Sequence, residues 1–156
     1  MSKFKYASFE YTSWFDAPVE RVFAFHEQPG AFELLTPPWQ KVRITARSNG
    51  LDAGARVEFR LLFGPFSKKW VALHTAYEKN RLFVDEQVEG PFRSWVHRHE
   101  FVPENGGARL TDSIQFSLPI PGFDWLVKAQ LRKMFAYRHA VTKRECEGKF
   151  RPSPTP

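Results

Sequence analysis

The sequence predicts an α+β fold in which a curved antiparallel sheet of about seven strands wraps one long C-terminal helix, with two short helices after the first strand. Three observations lead there. Period-two alternation of apolar and polar residues recurs through the first 118 residues, between Gly, Pro and Asn punctuation. Asn105-Gly106, the strongest two-residue hairpin signal because both positions need positive φ, sets the register of the last two strands. Phe123, Val127, Leu131, Met134, Phe135 and Val141 then repeat at helical spacing up to a Gly148 cap.

The elements follow in order. Phe4 to Phe15 alternates as a strand, with Phe9, Tyr11, Ser13 and Phe15 on one side. Asp16-Ala17-Pro18 starts a helix, since proline is tolerated in the first turn. Val19, Val22, Phe23 and His26 share its buried side. Pro29-Gly30 ends it, and Ala31 to Leu35 forms a second short helix before Pro37-Pro38. Strands are expected over Trp39–Arg47, Ala55–Phe63, Lys68–Tyr77 and Leu82–Val88. The third of these has two partly apolar sides, Trp70 and Ala72 against Val71 and Leu73, so its inward face is open. Residues 1–150 read as one domain and residues 151–156 as a disordered tail.

The hairpins of 82–118 carry the chemistry. If Glu104 pairs with Gly107, Phe101 faces Leu110, His99 faces Asp112, His97 faces Ile114 and Trp95 faces Phe116. If Glu89 pairs with Phe92 across Gly90-Pro91, Glu86 faces Trp95 and Val84 faces His97. Leu82, Val84, Glu86 and Val88 then join Trp95, His97, His99, Asp112 and Phe116 on one apolar face, opposite Arg98, Glu100, Thr111 and Ser113. Polar groups on an inward face are costly unless paired or wet, which suggests a lined cavity. One helix cannot fill a whole concave sheet, and the space left between them is the natural small-molecule site.

His99 with Asp112 is the sharpest pair, and Glu86 with His97 is a diagonal second one. Either could act as an acid–base unit; mutual satisfaction of buried polar groups is the structural alternative. His97-x-His99 also has metal-ligand spacing, but Glu104 lies in the turn with the wrong parity, and no metal is expected. Arg138, seven residues after Leu131, could hold an anionic group of a ligand or lay its stem on apolar surface. His26, His74 and His139 have no partner that spacing identifies.

Composition narrows the classes. The single Cys146 cannot form an internal disulfide, and no apolar run approaches the ~18 residues of a membrane helix. The N-terminal residues lack a signal-peptide stretch, so a cytoplasmic protein without integral membrane association is expected. The net charge of +6 concentrates after Pro121, where eight Lys/Arg meet three carboxylates. Without a nucleic-acid motif, this reads as a solvated helix face, and no nucleic-acid partner is expected.

Asp16-Ala17-Pro18-Val19-Glu20 with Val22-Phe23, Gly90-Pro91-Phe92, Trp95, His97, His99, Phe101, Leu110-Thr111-Asp112, and Phe135, Tyr137 and Arg138 resemble the START-like (SRPBCC) superfamily of helix-grip proteins. Leu35-Thr36-Pro37-Pro38-Trp39 is similar to a bacterial subgroup also found fused to an epimerase-like protein described as a cell-division inhibitor. No epimerase segment is present in these 156 residues, so that role is not expected. The resemblance implies a small hydrophobic ligand in the cavity; the inward faces read above would line it with Glu86, Trp95, His97, His99, Asp112, Phe116, Leu131, Phe135 and Arg138, and no cofactor is expected. Two alternatives stay open: a polyketide cyclase/dehydratase using His99, Asp112, His97 or Glu86, and an interaction module with a vestigial cavity.

Overall fold

The computed structural model describes residues 5–48 and 50–148. The expected tail at 151–156 lies outside them. The elements are β1 (Ala7–Phe15), α1 (Val19–Glu27), α2 (Ala31–Leu35), β2 (Val42–Arg47), β3 (Arg56–Phe63), β4 (Phe66–Glu78), β5 (Leu82–Glu89), β6 (Ser94–Glu104), β7 (Gly107–Ser117) and α3 (Asp124–Cys146). The seven strands form one antiparallel sheet in the order β1-β7-β6-β5-β4-β3-β2. The helix-grip architecture expected from the sequence is the one observed.

Local chemistry sets the boundaries. Pro18 caps α1 with an extended backbone, and its carbonyl accepts from Arg21 and Val22. Asn105 and Gly106 both have positive φ, as the tight β6–β7 turn requires. Gly148, with φ +75°, follows the last turn of α3 in the left-handed conformation that ends a helix. Phe123 precedes α3 and is exposed, so it drops out of the expected apolar stripe; Leu131 and Phe135 are buried. Arg132, Lys133, Lys143 and Arg144 lie on the solvated side of α3.

The β6–β7 register is the one read from the sequence, with His99 opposite Asp112 and Trp95 opposite Phe116. The β5–β6 register is not. Phe83 pairs with His99, Asp85 with His97 and Glu86 with Val96. The slip is one residue, and it turns every β5 side chain to the other face. Glu86 and Val84 therefore lie on the outward face, and Val88 is exposed. Phe83, Asp85 and Gln87 face inward. Gln87 is the cause: its amide donates to the Phe92 carbonyl at 2.8 Å and accepts from the Phe92 N–H at 3.1 Å. Its side chain thus bridges a longer turn, over Gly90, where a Cβ would fall 2.4 Å from Gln87 Oε1.

The ambiguous face of β4 has an equally physical resolution. Pairing with β5 shifts twice, between Val71 and Ala72 and again between His74 and Ala76. Trp70, Ala72 and His74 face inward before the second shift, and Tyr77 packs on Phe23 after it. Val71, between Trp70 and Ala72 and on the opposite side of the strand, is fully buried as well, so both sides of this stretch of β4 carry covered apolar residues.

Candidate functional site

Five ionisable side chains from three strands and α3 converge beneath the helix. Asp112 is at the centre. Its Oδ1 lies 2.8 Å from His97 Nε2 and 2.8 Å from His99 Nδ1, and its Oδ2 lies 2.7 Å from His139 Nε2. Asp85 approaches from β5, with Oδ2 at 3.1 Å from His99 Nε2 and 3.8 Å from His97 Nδ1. Ser13 of β1 completes the chain, with Oγ 2.8 Å from His139 Nδ1.

An ionised carboxylate only accepts, so each imidazole presents an N–H to Asp112. His139 then carries its proton on Nε2, and its Nδ1 accepts from the Ser13 hydroxyl. His97 Nδ1 and His99 Nε2 are left facing Asp85. A lone pair facing a carboxylate is repulsive, so a cation is needed there; a second proton on His99, donated to Asp85, satisfies it.

The electrostatics agree with this arrangement. Burial alone pushes the Asp112 carboxyl up, but the His99 charge and hydrogen bonds from three histidines hold it well below its ordinary range. Burial also raises Asp85, and the His99 hydrogen bond with the charges of His97 and His99 brings it below its usual value. Burial lowers His99, but Asp112 and Asp85 outweigh it and raise the imidazole. His97 is lowered, by burial first and by the neighbouring His99 charge second. Neighbouring imidazoles cannot both take a second proton cheaply.

Aromatic rings enclose the cluster. Phe83 stacks on His99 at 3.9 Å between centroids, and Phe135 of α3 meets His97 edge-on at 5.3 Å. Farther along the concave face, Trp70 stacks on Phe59 and stands perpendicular to Trp95, which contacts Phe116 and Phe92. Leu131, Phe135 and Phe116 are buried between helix and sheet. Two recesses of about 430 and 340 Å³ are present, one on the convex face beside Val96, Arg98 and Ser113, the other between α2 and β2 beside Phe32, Pro37 and Val42. Neither is lined by α3.

The structure thus brings together Trp95, His97, His99, Asp112, Phe116, Leu131 and Phe135 of the expected site. Glu86 is removed by the register correction, and the proposed Glu86–His97 unit does not exist. Arg138 is committed elsewhere: its Nε donates to the Leu35 carbonyl at 3.2 Å, and its guanidinium sits 5.3 Å from the Phe135 ring centre. Asp85 and His139 were missed. Asp85 was hidden by the slipped register. His139 carried a legible signal, since it follows Phe135 by one helical turn and Leu131 by two.

The other two histidines are structural. His74 hydrogen-bonds the Leu51 carbonyl and lies parallel to Phe83. His26 hydrogen-bonds the Val22 carbonyl and packs against Phe101; burial holds its imidazole down at about 4.

Comparison with known proteins places this site in context. Residues 15–137 match the family described as "Polyketide cyclase / dehydrase and lipid transport". The chain belongs to this family. The match spans the whole cluster except His139 and Ser13. Among solved structures, a nucleoside-diphosphate sugar epimerase from Corynebacterium glutamicum is similar at 29% identity and TM-score 0.70, over 86% of this chain but only 28% of the epimerase. A Chromobacterium violaceum protein aligns with TM-score 0.71 at 14% identity, covering 92% of this chain and 99% of its own. A Thalictrum norcoclaurine synthase mutant, solved with a transition-state analogue, aligns with TM-score 0.69 at 13% identity, over 92% and 96%. At such identity the last two share the fold. No curated protein matches the sequence. Among the described residues, no helix is long and apolar enough to cross a membrane.

Proposed function

We propose that the protein binds a small hydrophobic molecule, aromatic or acyl, between the first half of α3 and the aromatic inner face of β3, β4 and β6. Family membership supports hydrophobic ligand binding in general. The observation carrying the finer reading is incomplete cover. Phe92, Leu118, Val127 and Met134 are only partly buried around the Trp70–Trp95 wall, and Trp125 and Leu126 of α3 are exposed beside them in sequence. Apolar surface held half-covered next to stacked rings gains free energy from a lipophilic occupant, at about 25 cal/mol per Å² removed from water. A modest outward swing of α3 would admit one.

Titration with a fatty acid and with a naphthalene-sulfonate dye tests this, read by quenching of tryptophan fluorescence. Saturable binding with mutual displacement is expected. Met134→Trp, which fills the half-covered space, should weaken it at least ~10-fold with little change in melting temperature. Absence of saturable binding to folded protein would overturn the proposal.

A second reading, acid–base catalysis on a polyketide-like carbonyl, is supported by His99 poised between Asp112 and Asp85. Protonated His99 would move its Nε2–H from Asp85 to the carbonyl oxygen, while its Nδ1–H stays on Asp112. Turnover of a poly-β-keto thioester, lowered ~10²-fold by His99→Gln, is the expected sign, that factor being the usual worth of a positioned acid.

A further inference from the structure

The β5–β6 register places a third donor beside the His97–His99 pair. Asp85, His97 and His99 each bring one ligand atom within 4.8 Å of the other two. Asp85 Oδ2 is 3.1 Å from His99 Nε2 and 3.8 Å from His97 Nδ1. Donors around a first-row metal ion at about 2.0–2.2 Å stand roughly 3–3.5 Å apart, so this triangle closes on an ion with small side-chain shifts. Both imidazoles already turn their other nitrogen to Asp112 Oδ1 at 2.8 Å. A carboxylate behind a ligating histidine fixes the tautomer and aims the lone pair at the metal. Here a single carboxylate does so for two histidines.

We propose that Asp85, His97 and His99 bind one divalent transition-metal ion, zinc or a first-row neighbour, with Asp112 as their positioning carboxylate. Imidazole–carboxylate donors select such ions over magnesium and calcium, which prefer all-oxygen sets. The two carboxylates balance the double charge, so the ion replaces the proton that otherwise separates His99 from Asp85. The Asp85 side chain keeps 18% of its exposure and offers the way in. Three protein ligands leave a position for water or for an oxygen of a bound molecule. No metal is expected from the sequence because Glu104 sits at the turn; Asp85, paired with His97 from the neighbouring strand and on the correct face, supplies the ligand that Glu104 does not.

The test uses the full chain, free of a histidine tag and stripped of metal, titrated with Co²⁺ and then Zn²⁺. One equivalent should bind with a Kd of ~10 µM or tighter, with a visible cobalt absorption band that zinc abolishes. Zinc should also raise the melting temperature. Asp85→Asn, nearly isosteric and at the exposed edge of the cluster, should weaken binding at least ~10-fold while circular dichroism shows a folded protein. Asp112→Asn should weaken it ~10–100-fold, as loss of a supporting carboxylate does. Glu86→Gln, on the outward face, should change nothing. Failure of folded wild-type protein to bind either ion, or undiminished binding by folded Asp85→Asn, would overturn the proposal.

Discussion

Asp112 of β7 and His139 of α3 are joined by a 2.7 Å hydrogen bond that ties the strand next to the β1 edge of the sheet to the helix. The same carboxylate also satisfies His97 and His99, so a single side chain fixes both the β6–β7 face and the seat of α3. Replacing it should cost more than one ordinary hydrogen bond. Asp112→Asn leaves one acceptor for three N–H donors and points an amide N–H at one of them. A loss of about 3–5 kcal/mol is expected, the range for breaking a buried charged network. Urea denaturation measures it, and a loss below about 1 kcal/mol would show that the histidines find other partners.

The β5–β6 turn depends on Gln87. Gln87→Ala removes two hydrogen bonds to Phe92 and should lower stability by about 1–2 kcal/mol. Gly90→Ala should have a similar effect, because its methyl displaces the Gln87 side chain. The double variant should lose little more than either single one. Full additivity in the cycle would mean the two positions act separately.

His26 should make the fold sensitive to mild acid. Its folded-state value of about 4 lies below the unfolded 6.5, so the unfolded chain takes up a proton first. Stability is complete above pH 6.5 and falls as pH drops toward 4, by on the order of 2–3 kcal/mol. His97, lowered for the same reason, adds to this slope. His99 acts with the opposite sign: its raised value contributes stability below pH 6.5 that is lost as pH rises through it. His26→Leu, which keeps the packing on Phe101, should flatten the acid slope between pH 6.5 and 4 in thermal melts. An unchanged slope would place the proton uptake elsewhere.

Arg138 tests the division between structure and ligand contact. Arg138→Met keeps the apolar stem but loses the donor to the Leu35 carbonyl. A cost of about 1 kcal/mol is expected, with fatty-acid binding altered less than threefold. A large loss of affinity for acids, and none for neutral probes, would instead make Arg138 the partner of a ligand carboxylate.

What the sequence made legible follows a physical rule. The Asn105-Gly106 turn fixes its own register, because the dipeptide's backbone preference leaves little choice of geometry, and His99 with Asp112 followed from it. The Gly90-Pro91 turn carries no such constraint. Its geometry is set by a side chain three residues upstream, so Asp85 and Glu86 exchanged faces. The mixed parity of β4 was visible but not interpretable without the rest of the fold, because Trp70 and Ala72 line the inner face while Val71 is fully buried on the other. His139 is a tertiary contact of α3 with β7 and β1, and helical periodicity alone marks its face without naming its partners.

The pairing of β1 with β7 brings Phe15 against Ala108 and Ala7 against Phe116. The first strand must therefore meet the last, across almost the whole chain. Closing so long a loop is slow, and sheets dominated by distant pairings fold in milliseconds to seconds rather than microseconds. The hairpins from β2 to β7 can form locally and early, but Ser13 reaches His139 only once β1 has docked. Asp85, His97, His99 and Asp112 come together with the β5–β7 hairpins, whereas the Ser13–His139 end of the polar cluster is completed only after β1 and α3 dock, so an arrested intermediate would carry a sheet with β7 as an open edge and Asp112 without its helix partner.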